Sequence, residues 1–185
     1  LPMDAGCIVM NVSTAAALSD AISTGRPIVE RIITIAGDVP SPANLRARIG
    51  VTFGELIEQC GGVPDDTIKI VSGGPMMGQA ISRLDVPIVK ATGGILLINR
   101  AHASNIPESA CIRCGRCVEA CPIHLMPLRL NELVMHDRFE QAEAMNALDC
   151  IECGSCSYVC PAKRELALSI RMGKREIQKR RKARK

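Results

Sequence analysis

Ten of the 185 residues are cysteines, and eight of them lie in two short blocks with the same spacing. Each block reads C-x-x-C-x-x-C-x-x-x-C-P; the first begins at Cys111 and the second at Cys150, thirty-nine positions later. Thiolates at this spacing suit metal chelation better than disulfide bridging. The blocks therefore predict metal-bound thiolates as the chemistry of this chain.

The spacing also predicts how two 4Fe–4S clusters would share the thiolates. Three thiolates spaced by two residues can bind three irons of one cluster, whereas the cysteine before proline ligates the other cluster in two-cluster ferredoxins. Cluster one is then predicted to have the ligands Cys111, Cys114, Cys117 and Cys160. Cluster two is predicted to have the ligands Cys121, Cys150, Cys153 and Cys156. This exchange would hold the clusters close together, as electron transfer between them requires.

Other residues of the blocks fit this prediction. Gly115 and Gly154 follow the second cysteine, where a tight turn brings backbone N–H groups near the sulfurs. Ile112 and Ile151 follow the first cysteine and are expected to shield a cluster face from water. Structural zinc and disulfides are the alternatives, but zinc sites usually separate their C-x-x-C pairs, and disulfides need an oxidising compartment.

Composition limits the class of protein. Apolar residues make up 47% and aromatic residues only 2%, so the core must be aliphatic. No apolar run reaches the length of about eighteen residues that a transmembrane helix needs. The start, LPMDAG, has neither an initiator methionine nor a basic signal-peptide region. We therefore expect a fragment of a protein from a reducing cytoplasm.

Charge is concentrated at the C-terminal end. Residues 171–185 hold nine Lys/Arg and one Glu, or +8, so a net charge of +4 leaves −4 for the other 170 residues. Without interleaved aromatic residues this basic tail does not indicate a nucleic-acid groove, and no nucleic-acid partner is expected. A frayed, solvated tail is the first interpretation, and contact with anionic lipid or an acidic partner protein is the second.

The N-terminal segment, residues 1–28, predicts one strand and one helix. The apolar run Cys7–Val12 is typical of a strand, and the small residues after it have helical spacing that ends at Gly25 and Pro27. Two such elements cannot bury their faces alone, so we expect the edge of a larger α/β unit.

Residues 29–100 predict an α+β module of β-grasp proportions. Strands are expected in VERIITIAG, NLRARIG, TIKIVSGGP and VPIVKATGGILLINR. One helix, in TFGELIEQCGG, is expected to start with a capping box of Thr52 and Glu55 and to end at Gly61.

Residues 101–170 begin with a polar connector and then predict a helical ferredoxin domain around the clusters. One helix should start at Pro127, a second should contain Phe139 and Ala142, and a third should run from RELALSI into the basic tail.

The other candidate functional residues have ordinary structural interpretations. Cys7 and Cys60 are expected to be buried apolar residues in a strand and a helix, and the three histidines share no ligand spacing. GGPMMG, residues 73–78, is predicted to be a plain turn, with its methionines filling core gaps. No Ser/His/Asp or paired-carboxylate arrangement predicts a catalytic residue.

The order of several segments resembles the C subunit of the Rnf electron transport complex, which belongs to the ion-translocating ferredoxin:NAD oxidoreductases. These segments are LPMDAGCIVMNVSTAAALSDAI, ERIITIAGDV, GVTFGELIEQCGG, SGGPMMG, ESACIRCGRCVEACP and DCIECGSCSYVCP. The resemblance covers nearly the whole chain except the basic tail, and it indicates a C-terminal fragment.

The resemblance implies an electron relay in a complex that oxidises ferredoxin, reduces NAD⁺ and exports Na⁺ or H⁺. It implies a peripheral place on the cytoplasmic side of the cell membrane, with the membrane subunits as partners. Residues 29–100 would be a soluble-ligand-binding (SLBB) β-grasp domain. Residues 1–28 would end a flavin- and NADH-binding domain whose FMN and NADH sites lie mostly outside this chain, so the chain alone is not expected to be catalytic. NVST, from Asn11 to Thr14, matches the family's N-V-x-T motif near FMN, which makes Asn11 a candidate flavin contact.

Two other functions remain open at this point. A cobalamin reductase of bacterial microcompartments resembles the same family and carries two such clusters, although its cluster region departs further from the pattern here. A non-redox assembly module would use the metals only for structure.

Overall fold

A computed structural model describes residues 2–103 and 106–183. These residues form two compact units. The first contains the residues up to Gly73 together with Ala80–Ala101, and the second contains Gly74–Gln79 and the residues from His102 onwards.

The N-terminal segment differs from its predicted form. A 3-10 turn spans Pro2–Ala5, and helix α1 spans Val12–Thr24 and is capped by Gly25 as expected. The strand predicted for Cys7–Val12 is wrong, because residues 7–10 have no regular structure and Val12 is already helical. The side chain of Asn11 accepts a hydrogen bond from the Ser13 N–H, a helix N-cap that a strand would not allow. Cys7 is accordingly exposed rather than buried.

A five-stranded mixed sheet with the order β2-β1-β5-β3-β4 forms most of the first unit. Its strands span β1 Glu30–Gly37, β2 Ala43–Arg48, β3 Thr67–Ser72, β4 Gln79–Ile81 and β5 Gly94–Asn99. Strand β1 pairs antiparallel with β2 and parallel with β5, in a register that sets Ile35 beside Ile95. Both side chains are at most 1% exposed, so the alternation seen in the sequence buries one face of the sheet.

Helix α2, Phe53–Gln59, covers this core and starts with the predicted capping box. The Thr52 hydroxyl accepts from the Glu55 N–H at 3.3 Å, and the Glu55 carboxylate accepts from the Thr52 N–H at 2.8 Å. This reciprocal box satisfies donors at the helix start that otherwise lack partners. Cys60 follows the helix and is buried, as expected for a small apolar residue.

Helices form most of the second unit: α3 Arg116–Glu119, α4 Pro127–Met135, α5 Phe139–Ala144, α6 Ser155–Tyr158 and α7 Leu166–Ala183. A 3-10 turn spans Ala147–Asp149. Pro127 opens α4, as predicted, since proline fits the first helical turn. An apolar core joins α4, α5 and α7 through Leu130, Leu133, Phe139, Ile170 and Ile177.

Helix α7 corrects the expectation of a frayed basic tail. The helix continues through the basic residues to Ala183, and Ile177 is buried within it. Arg180 pairs with Glu140 and lies 4.4 Å over the Phe139 ring, while Arg181 pairs with Glu143. Ion pairs to α5 thus bind part of the tail to the unit. No helix in the described part of the chain is both long and apolar enough to cross a bilayer.

Candidate iron–sulfur centres

Both cysteine blocks fold into the same local structure. In each block a glycine in the left-handed region precedes a four-residue helix: Gly115 (φ 80°) before α3 and Gly154 (φ 81°) before α6. Arg113 and Glu152, two positions earlier, also have positive φ values, of 54° and 57°. The chain therefore winds tightly around the first three cysteines, as the repeated spacing predicts.

A cavity of about 280 Å³ lies beside the first block. Four cysteines line it, three from the first block and the last from the second: Cys111, Cys114, Cys117 and Cys160. Ile112, Leu128 and His136 are among its other lining residues. The structure thus brings together the four side chains predicted as the ligands of cluster one.

A smaller cavity, about 20 Å³, lies beside the second block. Its cysteines are the remaining four, with the last of the first block among them: Cys121, Cys150, Cys153 and Cys156. Ile151, Leu125 and Ile170 also line it. The second group of thiols therefore has the same exchanged membership as the first.

Burial differs along each block. The third and fourth cysteines are buried, at 8–9% exposure, whereas Cys111 and Cys114 are exposed and Cys150 and Cys153 are half-buried. Ile112 and Ile151 line the cavities but remain 67% and 54% exposed. The expected shielding by these two isoleucines is therefore only partial.

Backbone donors point at the sulfurs. The N–H groups of Arg113 and Glu152 donate to Cys111 and Cys150, each at 3.4 Å, and the Leu125 N–H donates to Cys121 at 3.2 Å. Such bonds favour a thiolate and tune a cluster when one is bound. The positive φ at positions 113 and 152 accompanies this geometry in both blocks.

Burial has the opposite effect on several thiols, because it raises their pKa and so disfavours the thiolate. Desolvation raises the pKa of Cys156 to about 11 and also raises the pKa values of Cys117 and Cys150. A hydrogen bond with Ser155 lowers the pKa of Cys153. An isolated thiolate is therefore disfavoured at Cys117, Cys150 and Cys156, and a bound cation would be needed to hold these three sulfurs deprotonated.

The arrangement fits a cluster better than a single ion. The thiols line cavities instead of meeting at one point, and no three Cys, His, Asp or Glu side chains of the described residues could share one metal ion. In a 4Fe–4S cluster each iron takes one thiolate, whereas tetrahedral zinc gathers four around one centre.

Two family models match separate parts of the chain. A model described as the SLBB domain matches residues 32–80, and one described as the 4Fe-4S dicluster domain matches residues 110–164. The second match contains all eight cysteines of the blocks, so it supports iron–sulfur clusters as the cofactors.

Curated relatives match over nearly the whole chain. The C subunit of the Na⁺-translocating ferredoxin:NAD⁺ oxidoreductase complex of Acetobacterium woodii is 48% identical over 178 residues, covering 96% of this chain and 40% of the relative. The proton-translocating counterpart of Clostridium ljungdahlii is also 48% identical over 178 residues, with 95% and 39% covered. The C subunit of the ion-translocating oxidoreductase complex of Rhodobacter capsulatus is 39% identical over 181 residues, with 97% and 35% covered.

This chain is homologous to the C subunits of these oxidoreductase complexes. It spans about 40% of the length of the first two relatives, and the match falls in their C-terminal part. The names of those relatives place them in multi-subunit redox complexes.

The turn at residues 74–79 has a role that the sequence did not reveal. It is a turn, as predicted, with the Gly78 N–H bonded to the Gly74 carbonyl. Its methionines do not fill core gaps, however, because Met76 and Met77 are 45% and 55% exposed. The turn instead packs against the second block, where a Cβ on Gly154 would lie 2.7 Å from the Met76 carbonyl oxygen.

Alanine at Gly154 is expected to destabilise the second unit more than alanine at Gly115. Both positions carry a left-handed strain of about 1–2 kcal/mol for alanine. A Cβ at Gly115 meets nothing within 4 Å, whereas at Gly154 it meets the Met76 backbone, at an added cost of about 1–3 kcal/mol. Urea denaturation of the iron-loaded variants, followed by cluster absorbance, measures the difference. Equal midpoints would show that the turn does not pack on Gly154.

Proposed function

We propose that this chain is the electron-relay part of a membrane-associated ferredoxin:NAD oxidoreductase complex that couples electron transfer to Na⁺ or H⁺ export. One observation carries the proposal: each cavity is lined by three thiols of one block and the fourth thiol of the other. The two sites therefore share both blocks, which suits two centres held close together.

The proposed cluster-one ligands are Cys111, Cys114, Cys117 and Cys160. The proposed cluster-two ligands are Cys121, Cys150, Cys153 and Cys156. When bound, each cluster supplies a one-electron carrier. The chain contributes the thiolates, the N–H donors to sulfur, and the packing of α4 and α7 that fixes the two blocks.

We further propose a four-part organisation. Residues 1–28 would end a flavin- and NADH-binding domain, 29–100 would form a β-grasp SLBB domain, 101–170 a dicluster helical ferredoxin domain, and 171–185 a basic tail. The single helix α2 and the parallel pairing of β1 with β5 in the middle of the sheet support the β-grasp assignment.

Partners and location follow from the complex. We propose that the chain is peripheral on the cytoplasmic side of the membrane, contacts the membrane subunits, and exchanges electrons with ferredoxin and NAD(H) through the complex. FMN and NADH would bind mainly to a part of the protein outside these residues. Asn11 stays a proposed flavin contact; in the structure its side chain caps α1.

Iron and acid-labile sulfide analysis tests the proposal. Reconstituted chain is expected to hold about eight irons and eight sulfides, since two 4Fe–4S clusters are proposed. Its visible absorbance should bleach on reduction with dithionite, and it should not oxidise NADH without added flavoprotein. Zinc in place of iron, or iron that cannot be reduced, would refute the relay.

A further inference from the structure

Glu152 lies inside the second cysteine block, between Cys150 and Cys153, and forms a partly buried ion triad with helix α7. Its carboxylate accepts from Arg171 Nε at 2.7 Å and lies 3.2 Å from Lys174 Nζ. The Arg171 and Lys174 side chains are only 13% and 14% exposed, and that of Glu152 is 28% exposed. These contacts are far better shielded from water than ordinary surface ion pairs.

Both cations make a second contact near the cluster-two cysteines. Lys174 Nζ donates to the Cys150 carbonyl oxygen at 2.5 Å. Arg171 Nη2 donates to the Met77 carbonyl oxygen at 3.2 Å, in the turn that packs against Gly154. The triad therefore joins three segments: the loop that carries Cys150, helix α7, and the turn at residues 74–79.

The first block has a different residue at the equivalent position. Arg113 replaces Glu152, has the same positive φ, and its N–H makes the equivalent bond to Cys111. Arg113 is exposed, whereas Glu152 is half-buried against α7. The two cluster sites thus share a backbone geometry but not their charged surroundings.

We propose that Arg171 and Lys174, held by Glu152, are positioning residues that set the reduction potential of cluster two and retain its iron. The inference rests on the proposed assignment of Cys121, Cys150, Cys153 and Cys156 to that cluster. One-electron reduction adds a negative charge, so a nearby cation favours the reduced form and a nearby carboxylate opposes it. At 13–28% exposure, salt screens both effects less than it would at the surface.

Opposite charge changes within the triad test the proposal. Lys174→Gln removes a cation and is expected to lower the midpoint potential of one of the two clusters. Glu152→Gln removes the carboxylate and should raise the same potential. Both substitutions break the same ion pair, so a purely structural role would not give shifts of opposite sign. Redox titration of the reconstituted chain followed by EPR measures both potentials.

Two further variants with the same charge change as Lys174→Gln assign each midpoint potential to one of the clusters. Lys179→Gln makes the same charge change at an exposed position of α7 and should leave both potentials unchanged. Arg113 is also exposed but lies only two residues from Cys111, so Arg113→Gln should lower the other potential by a smaller amount and should not change the one that Lys174→Gln moves. Shifts of the same sign for Glu152→Gln and Lys174→Gln, or equal movement of both clusters, would overturn the proposal.

Measurements of iron retention distinguish the structural role of the Arg171 contacts from the effect of its charge. Arg171→Lys keeps the charge but loses the forked contact with Glu152 and Met77, so we expect half of the iron to leave several-fold faster under a chelator. Its midpoint potentials should stay close to those of the parent chain. Uniform loss of all the iron would contradict a role of these Arg171 contacts that is specific to cluster two. Failure of the parent chain to bind two clusters would instead refute the proposed function.

Discussion

Replacing Cys150 and Cys160 together by alanine is expected to leave no intact four-iron cluster, although both belong to the second block. Cys150 lines the smaller cavity and Cys160 the larger one, so each proposed cluster loses one ligand. Alanine is preferred to serine because it offers no oxygen to replace the thiolate. Iron analysis and EPR of the reduced protein measure the loss.

A second double variant, in which Cys111 and Cys160 are replaced by alanine, makes this prediction specific. Cys111 and Cys160 come from different blocks but line the same cavity, so replacing both should destroy cluster one alone. Cluster two would keep four thiolates, and the iron content should fall from about eight to about four. If each block instead held its own cluster, the two double variants would exchange their results.

A third variant controls for the loss of a cysteine as such. Cys60 is also buried, at 1% exposure, but it lies in the core of the first unit and lines neither cavity. Cys60→Ala should therefore retain both clusters. An intact four-iron cluster in the variant without Cys150 and Cys160 would contradict the exchanged ligand sets.

Local features of this fold could be predicted because neighbouring residues determine them. The turn at Gly115 and Gly154, the capping box at Thr52 and Glu55, and the start of α4 at Pro127 each depend on a few adjacent residues. Steric limits on φ and the unsatisfied donors of a helix start act over that range. The grouping of thiols in the two cavities joins distant residues such as Cys111 and Cys160, but the repeated block spacing, typical of two-cluster ferredoxins, predicts it.

Other features that depend on distant partners, and that no repeated motif indicates, could not be predicted. The run Cys7–Val12 has the composition of a strand, but a strand needs a partner to bond its backbone, and the Asn11 cap begins a helix instead. Strand β4 has only three residues, too few to give a periodic pattern. For the basic tail, composition gives the charge of Arg180 but not its ion pair with Glu140, forty positions earlier.

Removing the iron is expected to unfold the cysteine blocks while the sheet of the first unit stays folded. The first unit has its own aliphatic core, in which Ile33, Ile35, Ile57 and Leu97 are fully buried. Helices α3 and α6 have four residues each, too few to be stable alone. Around them, one small buried cluster consists of Cys117, Cys156 and Leu166, so two of its three members are proposed ligands.

Hydrogen exchange with mass spectrometry resolves this difference within one chain. Peptides covering residues 111–121 and 150–160 should lose protection by about 100-fold or more after chelation, equivalent to about 2.8 kcal/mol of local opening free energy. Peptides from β1 and β5 serve as the internal control and should not change. Restoring iron and sulfide should restore protection, since binding contributes directly to folding where a site forms only in the folded state.

After iron removal, helices α4, α5 and α7 should lose less hydrogen-exchange protection than the cysteine blocks but more than strands β1 and β5. Leu130, Leu133, Phe139 and Ile170 are apolar members of one core, and their packing would keep part of it after the iron is removed. Cys121 belongs to the same core and would lose its metal, so the protection of α4 should weaken rather than vanish. Unchanged exchange in both cysteine blocks would show that side-chain packing alone fixes the two cavities, and would remove the link between iron binding and folding.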